Sequence, residues 1–184
     1  MIPRGKLVFI TGAARSGKSS FAERMAAETG SSVIYIATCV PGDEEMLERV
    51  SRHQARRPAN WQTVEEPLDP TSVILENDGL GKTFLLDCIT LLVLNLILDT
   101  KSVLAEDEVL EKIAQLAQVS YNSAADVIMV SNEVGWGIVP GDPLSRMYRD
   151  VIGRANQALA AQADEAWFTV SGIPLELKSL AKGT

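Results

Sequence analysis

A glycine-rich segment near the amino end of the chain has the residue types and spacing of a phosphate-binding loop. Gly12 and Gly17 are followed by Lys18 and Ser19, which is the P-loop pattern. The glycines let backbone N–H groups turn toward phosphate oxygens, while the lysine charge and the serine hydroxyl serve the phosphates and Mg²⁺. We therefore expect a nucleoside triphosphate to bind here. The predicted nucleotide-binding residues of the loop are Gly12, Ala13, Ala14, Arg15, Ser16, Gly17, Lys18 and Ser19.

An aspartate at the end of an apolar run is the second candidate for this chemistry. Asp87 follows Phe84, Leu85 and Leu86, which is typical of the carboxylate that a P-loop protein places near Mg²⁺. The alternative is that Asp87 caps the turn after its strand. We favour the functional interpretation because a P-loop is present, and we expect Ser19 and Asp87 to be the magnesium ligands.

His53 is the only histidine and lies among arginines in a predicted helix, 43–57. A neutral imidazole can attack a phosphorus atom while Arg52, Arg56 and Arg57 neutralise phosphate charge. A lone histidine near a helix end is more often structural, because the helix dipole stabilises its protonated form. On the residues alone, both interpretations stay open.

Polar residues follow the predicted strand 125–131. In an α/β sheet the carboxyl ends of the strands line the ligand crevice. Asn132 and Glu133 are therefore candidates to face a substrate, although an ordinary loop with turn residues would look similar.

Apolar, β-branched runs alternate with helical patterns, which predicts an α/β fold. Strands are predicted at 6–11, 32–37, 83–88, 125–131 and 165–170, with a possible short strand at 63–65. Helices are predicted at 20–28, 43–57, 91–98, 107–118 and 144–163. Residues 66–81 are predicted to be loop or weak helix, and the tail after residue 170 is short. We expect a P-loop NTPase-type fold with a mostly parallel sheet flanked by helices, a RecA-like core, in a single domain over residues 1–184.

Composition excludes several classes of protein. The net charge of −7 argues against nucleic-acid binding as the main function. Residues 1–60 nevertheless hold nine Lys and Arg against six Asp and Glu, as an anionic ligand at the P-loop requires. The most apolar segment, 83–98, is interrupted by Asp87 and Asn95 and is too short to span a bilayer. With no signal-peptide pattern at the amino end, we expect a cytoplasmic protein without a membrane span.

Together these segments resemble one family closely, the bifunctional adenosylcobinamide kinase/adenosylcobinamide-phosphate guanylyltransferase of cobalamin biosynthesis. The matching segments follow in order over nearly the whole chain, at 11–19, 35–38, 49–53, 87–90, 130–140 and 170–174. The P-loop alone would not single out this family, but the segments around His53 and at 131–140 together do. One departure is Ala13, where the family commonly has a second glycine.

The resemblance implies two reactions. In the first, ATP or GTP phosphorylates the aminopropanol hydroxyl of adenosylcobinamide, with Lys18, Ser19, Mg²⁺ and Asp87 neutralising charge on the transferred group. In the second, His53 accepts GMP from GTP as a covalent intermediate and passes it to adenosylcobinamide phosphate, giving adenosylcobinamide-GDP. The resemblance also implies a homotrimer. The remaining nucleotide-binding candidates are Arg52, Arg56, Arg57, Glu65 and Asp87.

Two other functions are compatible with a P-loop. A plain small-molecule kinase would use His53 only to bind phosphate and would form no covalent nucleotide. A nucleotide-dependent switch would have no small-molecule acceptor, but the chain lacks the Asn-Lys-x-Asp motif that reads guanine in GTPase switches.

Overall fold

A seven-stranded sheet organises the fold in the computed structural model, which describes residues 3–99 and 104–182. Six side chains of the second helix lie outside the described part, although their backbone lies within it: Glu45, Met46, Arg49, Arg52, His53 and Arg56. The strands are β1 Leu7–Gly12, β2 Ser32–Ala37, β3 Gln62–Glu65, β4 Lys82–Asp87, β5 Asp126–Val130, β6 Glu165–Val170 and β7 Ile173–Glu176. The helices are α1 Lys18–Glu28, α2 Glu44–Arg56, α3 Pro70–Asn77, α4 Ile89–Leu98, α5 Glu106–Asn122, α6 Pro143–Gln162 and α7 Leu177–Ala181.

The strand order is β3-β2-β4-β5-β1-β6-β7. Strands β1 to β6 are parallel to one another, and β7 runs antiparallel to its neighbour β6. The carboxyl ends of β1, β4 and β5 therefore meet at one edge of the sheet. Because β5 lies between β1 and β4, the row Ile10, Val130 and Asp87 crosses three adjacent strands.

Both faces of the sheet are buried, which explains why the strands are continuous apolar runs. Alternate residues of each strand point to opposite faces. Leu7 and Phe9 pack with α4, α5 and α6 in one cluster, and Val8 and Ile10 pack with α1 in the other. The predicted α/β class with a mostly parallel sheet is confirmed.

Two segments are more regular than expected. Residues 70–77 form a regular helix, α3, because Asp69 accepts a hydrogen bond from the Ser72 backbone N–H at its amino end and Pro70 suits a first helical position. The tail contains β7 and α7, which the sequence did not predict. The hairpin turn that leads into β7 has Ser171 and Gly172 at φ of 51° and 83°, as a two-residue hairpin requires.

Within the described ranges, no helix combines the length and the apolar character that crossing a membrane requires.

Candidate active site

The P-loop joins the end of β1 to the start of α1. Gly17 is the residue before the helix and has φ of 95°, a conformation that L side chains rarely adopt. Gly12 has no room for a side chain, because an added Cβ would lie 2.5 Å from the Thr169 carbonyl oxygen. Both glycines of the motif are therefore required by the backbone, and the amino end of α1 is left open to an anion.

Neighbouring elements hold the P-loop from both sides. The Gly172 N–H donates to the Ser16 carbonyl over 2.8 Å, and the Glu133 N–H donates to the Gly12 carbonyl over 3.1 Å. Inside the loop, Lys18 Nζ donates to the Ala13 carbonyl over 3.3 Å, and Lys18 is 7% exposed. The lysine charge thus lies within the loop, where phosphate would be bound.

Asp87 lies at the carboxyl edge of the sheet, at the end of β4, and β5 lies between β4 and β1. Its row partner is Val130, which in turn pairs with Ile10 of β1, so Asp87 and the strand that leads into the P-loop are roughly 10 Å apart. Asp87 Oδ2 accepts a hydrogen bond from the Tyr35 hydroxyl over 3.0 Å. Among the described residues no side chain caps α4, and the residue before this helix is Cys88.

Arg57 connects the end of α2 to this carboxylate. Its guanidinium carbon lies 3.4 Å from the centre of the Tyr35 ring, and its Nη1 donates to Thr63 Oγ1 over 3.3 Å. Arg57 Nε is buried without a hydrogen-bond partner among the described residues. A positive charge is therefore placed one aromatic ring away from Asp87.

The remaining residues around His53 are described only in part. The backbone of Arg52, His53 and Arg56 lies on the last turn of α2, but their side chains lie outside the described part of the chain. Glu65 is exposed at the end of β3. It occupies the same row as Ala37 and Asp87, on the far side of β2 from the P-loop.

Glu133 and Asn132 lie beside the P-loop at the end of β5. Glu133 Oε1 accepts hydrogen bonds from Thr11 Oγ1 over 2.9 Å and from Asn156 Nδ2 over 3.0 Å. Asn132 Nδ2 donates to Thr90 Oγ1 over 2.8 Å. The structure thus brings Asn132 and Glu133 to the same edge as the P-loop and Asp87.

Sequence reasoning missed the residues that hold these groups in place. Tyr35 reads as an ordinary strand residue, and Asn156 reads as one polar residue of a helix. Asn156 is 6% exposed and its carbonyl oxygen accepts from Ser131 Oγ over 2.6 Å. An asparagine among the apolar positions of α6 is the signal that could have identified it, because buried amides need partners.

A magnesium ion would have few protein ligands at this site. The described residues include no group of three or more His, Cys, Asp or Glu side chains arranged to hold a metal. A site with few protein ligands fits Mg²⁺, because in phosphate-transferring enzymes this ion takes one or two protein oxygens and completes its shell with water and phosphate. Ser19, at the start of α1, and Asp87, at the end of β4, are the two side chains that the sequence predicts as its ligands.

Comparison with known proteins gives a consistent result. A sequence profile described as cobinamide kinase / cobinamide phosphate guanyltransferase matches residues 8–177. The bifunctional adenosylcobalamin biosynthesis protein CobP of Pseudomonas aeruginosa is 45% identical over 172 residues, covering 92% of this chain and 95% of that protein. The bifunctional protein CobU of Escherichia coli K12 is 39% identical over 181 residues, covering 94% and 99%.

Solved structures with little sequence similarity share the fold. The RadB recombinase has a TM-score of 0.54 at 14% identity, with 91% of this chain and 75% of that chain covered. This likeness shows the fold alone, and it confirms the predicted P-loop NTPase type with a RecA-like core.

Proposed function

The chain belongs to the cobinamide kinase / cobinamide phosphate guanyltransferase family, and on that premise we propose which of its residues perform the two reactions. It is a bifunctional adenosylcobinamide kinase and adenosylcobinamide-phosphate guanylyltransferase of cobalamin biosynthesis. The observation that supports the residue assignment is that a P-loop with a buried lysine and Asp87 lie at the same edge of the sheet, with β5 between their strands, and that the His53-bearing helix ends at this edge.

In the kinase step, the acceptor hydroxyl attacks the γ-phosphorus of ATP or GTP. Backbone N–H groups of the P-loop bind the phosphates, and Lys18 neutralises negative charge on the transferred group. Ser19 and Asp87 would hold Mg²⁺, which when bound supplies further positive charge to the phosphate oxygens. The buried position of Lys18 supports this role, because a charge in a partly desolvated loop acts more strongly than one in water.

In the transferase step, His53 attacks the α-phosphorus of GTP and pyrophosphate leaves. The phosphate of adenosylcobinamide phosphate then displaces the imidazole, and adenosylcobinamide-GDP forms. The Arg57–Tyr35 contact supports this proposal, because it brings the carboxyl end of α2 to Asp87. Arg52, Arg56, Arg57 and Glu65 complete the proposed nucleotide site. Guanylylation falls below about pH 6, since the attacking imidazole must be unprotonated.

The corrinoid acceptor lies against the end of β5 in this proposal. Asn132 and Glu133 are polar groups at the carboxyl edge of the sheet, next to the loop that binds the transferred phosphate. We assign no nucleic-acid partner, because the net charge is −7. The proposed cellular location of the enzyme is the cytoplasm, where both ATP and GTP are available.

The enzyme acts as a homotrimer in this proposal, and an exposed apolar surface supports self-association. This surface consists of Trp136, Ile138, Val139, Ile173 and Leu175. The Trp136 ring lies 5.2 Å from the Phe168 ring, and Phe168 pairs with Leu175 across the β6–β7 hairpin. The loop after β5 and the hairpin are therefore adjacent, and apolar surfaces of this kind mark sites of association.

Labelled GTP tests the residue roles directly. Wild type and His53→Ala are incubated with Mg²⁺ and GTP labelled at the α- or the γ-phosphorus, then denatured, and bound label is counted. We expect acid-labile, alkali-stable α-label on wild type and none on His53→Ala. Leu47→Ala is the matched control, since Leu47 is exposed on the same helix, and it retains the α-label.

The plain-kinase alternative makes a different prediction in the same experiment. Well-folded wild type that binds GTP and phosphorylates cobinamide but never takes up α-label would exclude the guanylyl-histidine. Wild type that binds GTP without either reaction would contradict the enzymatic assignment as a whole.

A further inference from the structure

We propose that Glu133 is the general base of the kinase step, held in position by Thr11 and Asn156. The inference rests on the proposed function, since it assigns a further catalytic residue to the phosphorylation of the corrinoid hydroxyl. It goes beyond the assignment of Glu133 to the substrate crevice, because it names the proton that the carboxylate accepts.

The position of Glu133 is fixed through its main chain and its side chain. Its N–H donates to the carbonyl of Gly12, the first glycine of the P-loop, over 3.1 Å. Its Oε1 accepts from Thr11 Oγ1 over 2.9 Å and from Asn156 Nδ2 over 3.0 Å. A half-buried carboxylate that accepts two hydrogen bonds, on a residue whose N–H is bonded to the P-loop, is preorganised, which is what a catalytic group requires.

The second carboxylate oxygen is the one that can accept a proton. Among the described residues, no hydrogen bond reaches Glu133 Oε2, whereas Oε1 is occupied by both donors. In this proposal the acceptor hydroxyl binds at the edge of the sheet beside the P-loop and approaches this oxygen. General bases act over hydrogen-bond distance, so a fixed carboxylate with one open oxygen fits the role.

Asn156 links this carboxylate to the core. Its Nδ2 also donates to the Asn132 carbonyl over 3.1 Å, and its Oδ1 accepts from Ser131 Oγ over 2.6 Å. The side-chain amide thus uses both ends to hold the turn that follows β5. An amide at 6% exposure with every partner inside this turn orients Glu133 rather than contacting solvent.

Other acidic groups at this edge are less suited to the task. Asp87 accepts the Tyr35 hydroxyl and is the proposed magnesium ligand. Cys88, the next residue, is buried and contacts Thr90 Oγ1 over 2.9 Å. Glu65 is exposed on β3, on the far side of β2 from the P-loop. Of these three acidic residues, Glu133 is the one whose main chain bonds to the P-loop, through the Gly12 carbonyl.

The step balances without a further reactant. The acceptor hydroxyl oxygen forms a bond to the γ-phosphorus, and its proton passes to Glu133 Oε2. The bond from the γ-phosphorus to the β–γ bridging oxygen breaks, and the nucleoside diphosphate leaves with that electron pair. Glu133 then releases its proton to water.

Glu133→Gln tests the proposal with the second activity as an internal control. Glutamine keeps an oxygen for Thr11 and Asn156 but cannot accept the proton. We expect kcat for phosphorylation of cobinamide to fall ~100-fold or more, while KM for the nucleotide changes less than about twofold. Guanylylation of the enzyme by α-labelled GTP needs no such base, so its rate falls far less than the rate of phosphorylation.

A pair of variants at Thr11 tests the positioning role. Thr11→Val keeps the β-branched shape but removes the hydroxyl donor, so we expect kcat for phosphorylation to fall about tenfold with nucleotide KM unchanged. Thr11→Ser restores the donor and returns kcat to within about twofold of wild type. A merely structural role would give the opposite order, because serine suits a buried strand less well than valine.

The outcomes of these experiments distinguish the general-base assignment from the proposed function. Wild-type kinase turnover in Glu133→Gln overturns the base assignment and leaves the enzymatic function intact. Equal loss of phosphorylation and guanylylation in Glu133→Gln also overturns it, because Glu133 would then act in binding or folding. Wild type that lacks kinase activity contradicts the proposed function, and the inference falls with it.

Discussion

The Tyr35 hydroxyl donates a hydrogen bond to Asp87 Oδ2 over 3.0 Å, across the adjacent strands β2 and β4. Tyr35 is 3% exposed, and Arg57 lies over its ring. Burial, and next the negative charge of Asp87, raise the pKa of the Tyr35 hydroxyl, so it remains a donor at neutral pH. One carboxylate oxygen of the proposed magnesium ligand is thereby fixed by a buried neutral group.

Tyr35→Phe removes this hydrogen bond and leaves the ring under Arg57 in place. We expect the apparent Kd for Mn²⁺ in the presence of a non-hydrolysable GTP analogue to rise roughly 10-fold, since partners that orient a metal ligand are worth about this much. Direct titration of bound Mn²⁺ measures the effect without relying on turnover.

Tyr121→Phe is the matched control, because Tyr121 also lies under an arginine, Arg4, at 4.0 Å. Arg4 precedes β1, so this pair lies at the amino ends of the strands, opposite the carboxyl edge where Asp87 lies. We expect its Mn²⁺ affinity to equal that of wild type. Equal affinities in Tyr35→Phe and Tyr121→Phe would show that Tyr35 does not orient Asp87.

Gly17→Ala tests the backbone requirement of the P-loop. An added Cβ would lie 3.1 Å from Gly172 Cα, and the residue has φ of 95°. We expect a loss of roughly 1–2 kcal/mol in unfolding free energy and at least a ~10-fold weaker Kd for GTP, because the N–H groups that face the phosphates shift. Calorimetric titration with GTP and urea unfolding measure the two effects.

Gly153→Ala provides the comparison within the same chain. Gly153 lies inside α6, and beyond the adjacent residues and backbone of its own helix no atom of the described residues lies within 4 Å of an added Cβ. Alanine favours a helix interior by roughly 0.5–1 kcal/mol over glycine, so this variant gains stability and keeps GTP affinity. Unchanged GTP binding in Gly17→Ala would show that the loop tolerates a side chain at this position.

The parts of the fold that follow from local chemistry were predictable. The P-loop is specified by the spacing of Gly12, Gly17 and Lys18, and the buried strands are specified by continuous apolar runs. Asp87 was predicted to end a strand and it does. Its distance from the P-loop was not predictable, because strand order depends on packing between elements far apart in sequence.

The hydrogen bonds between elements could not be predicted from the sequence, for the same reason. Tyr35 and Asp87 are separated by two helices and one strand along the chain, and nothing in either segment marks the other as its partner. Asn156 meets Glu133 only after α6 packs on the sheet. Strand β7 was missed because it is only four residues long and contains a proline, and such a short segment is not recognisable as a strand. In the structure its Ile173 and Leu175 are exposed, so β7 also lacks the buried apolar run of the central strands.

Ile138→Ser tests self-association through the exposed apolar surface. Ile138 is 96% exposed, so the substitution costs the isolated subunit little stability. We expect wild type to have the mass of a trimer by light scattering and the variant to shift toward the monomer, because the side chain would lose its buried contacts in the assembly. Leu75→Ser, at 60% exposure on α3, keeps the trimer. A monomeric wild type would contradict the proposed assembly.

Asp164→Asn probes stability at low pH, at the opposite edge of the sheet from the nucleotide. Asp164 accepts hydrogen bonds from Arg4 and from the Leu7 N–H, and the Arg4 hydrogen bond lowers the pKa of its carboxyl to about 2. A carboxyl with a lowered pKa stabilises the fold above its unfolded pKa of about 4, and this contribution disappears as the pH falls toward 2.

The side chains of Arg4 and Asp164 are 36% and 27% exposed, so solvent screening reduces the contribution to about 1 kcal/mol. We expect Asp164→Asn to unfold in less urea than wild type at neutral pH, and the difference to shrink as the pH approaches 2, where the wild-type carboxyl becomes neutral as well. Glu76→Gln, an exposed change on α3, gives no such convergence. A difference between wild type and Asp164→Asn that stays constant down to about pH 2 would assign the effect to packing rather than to charge.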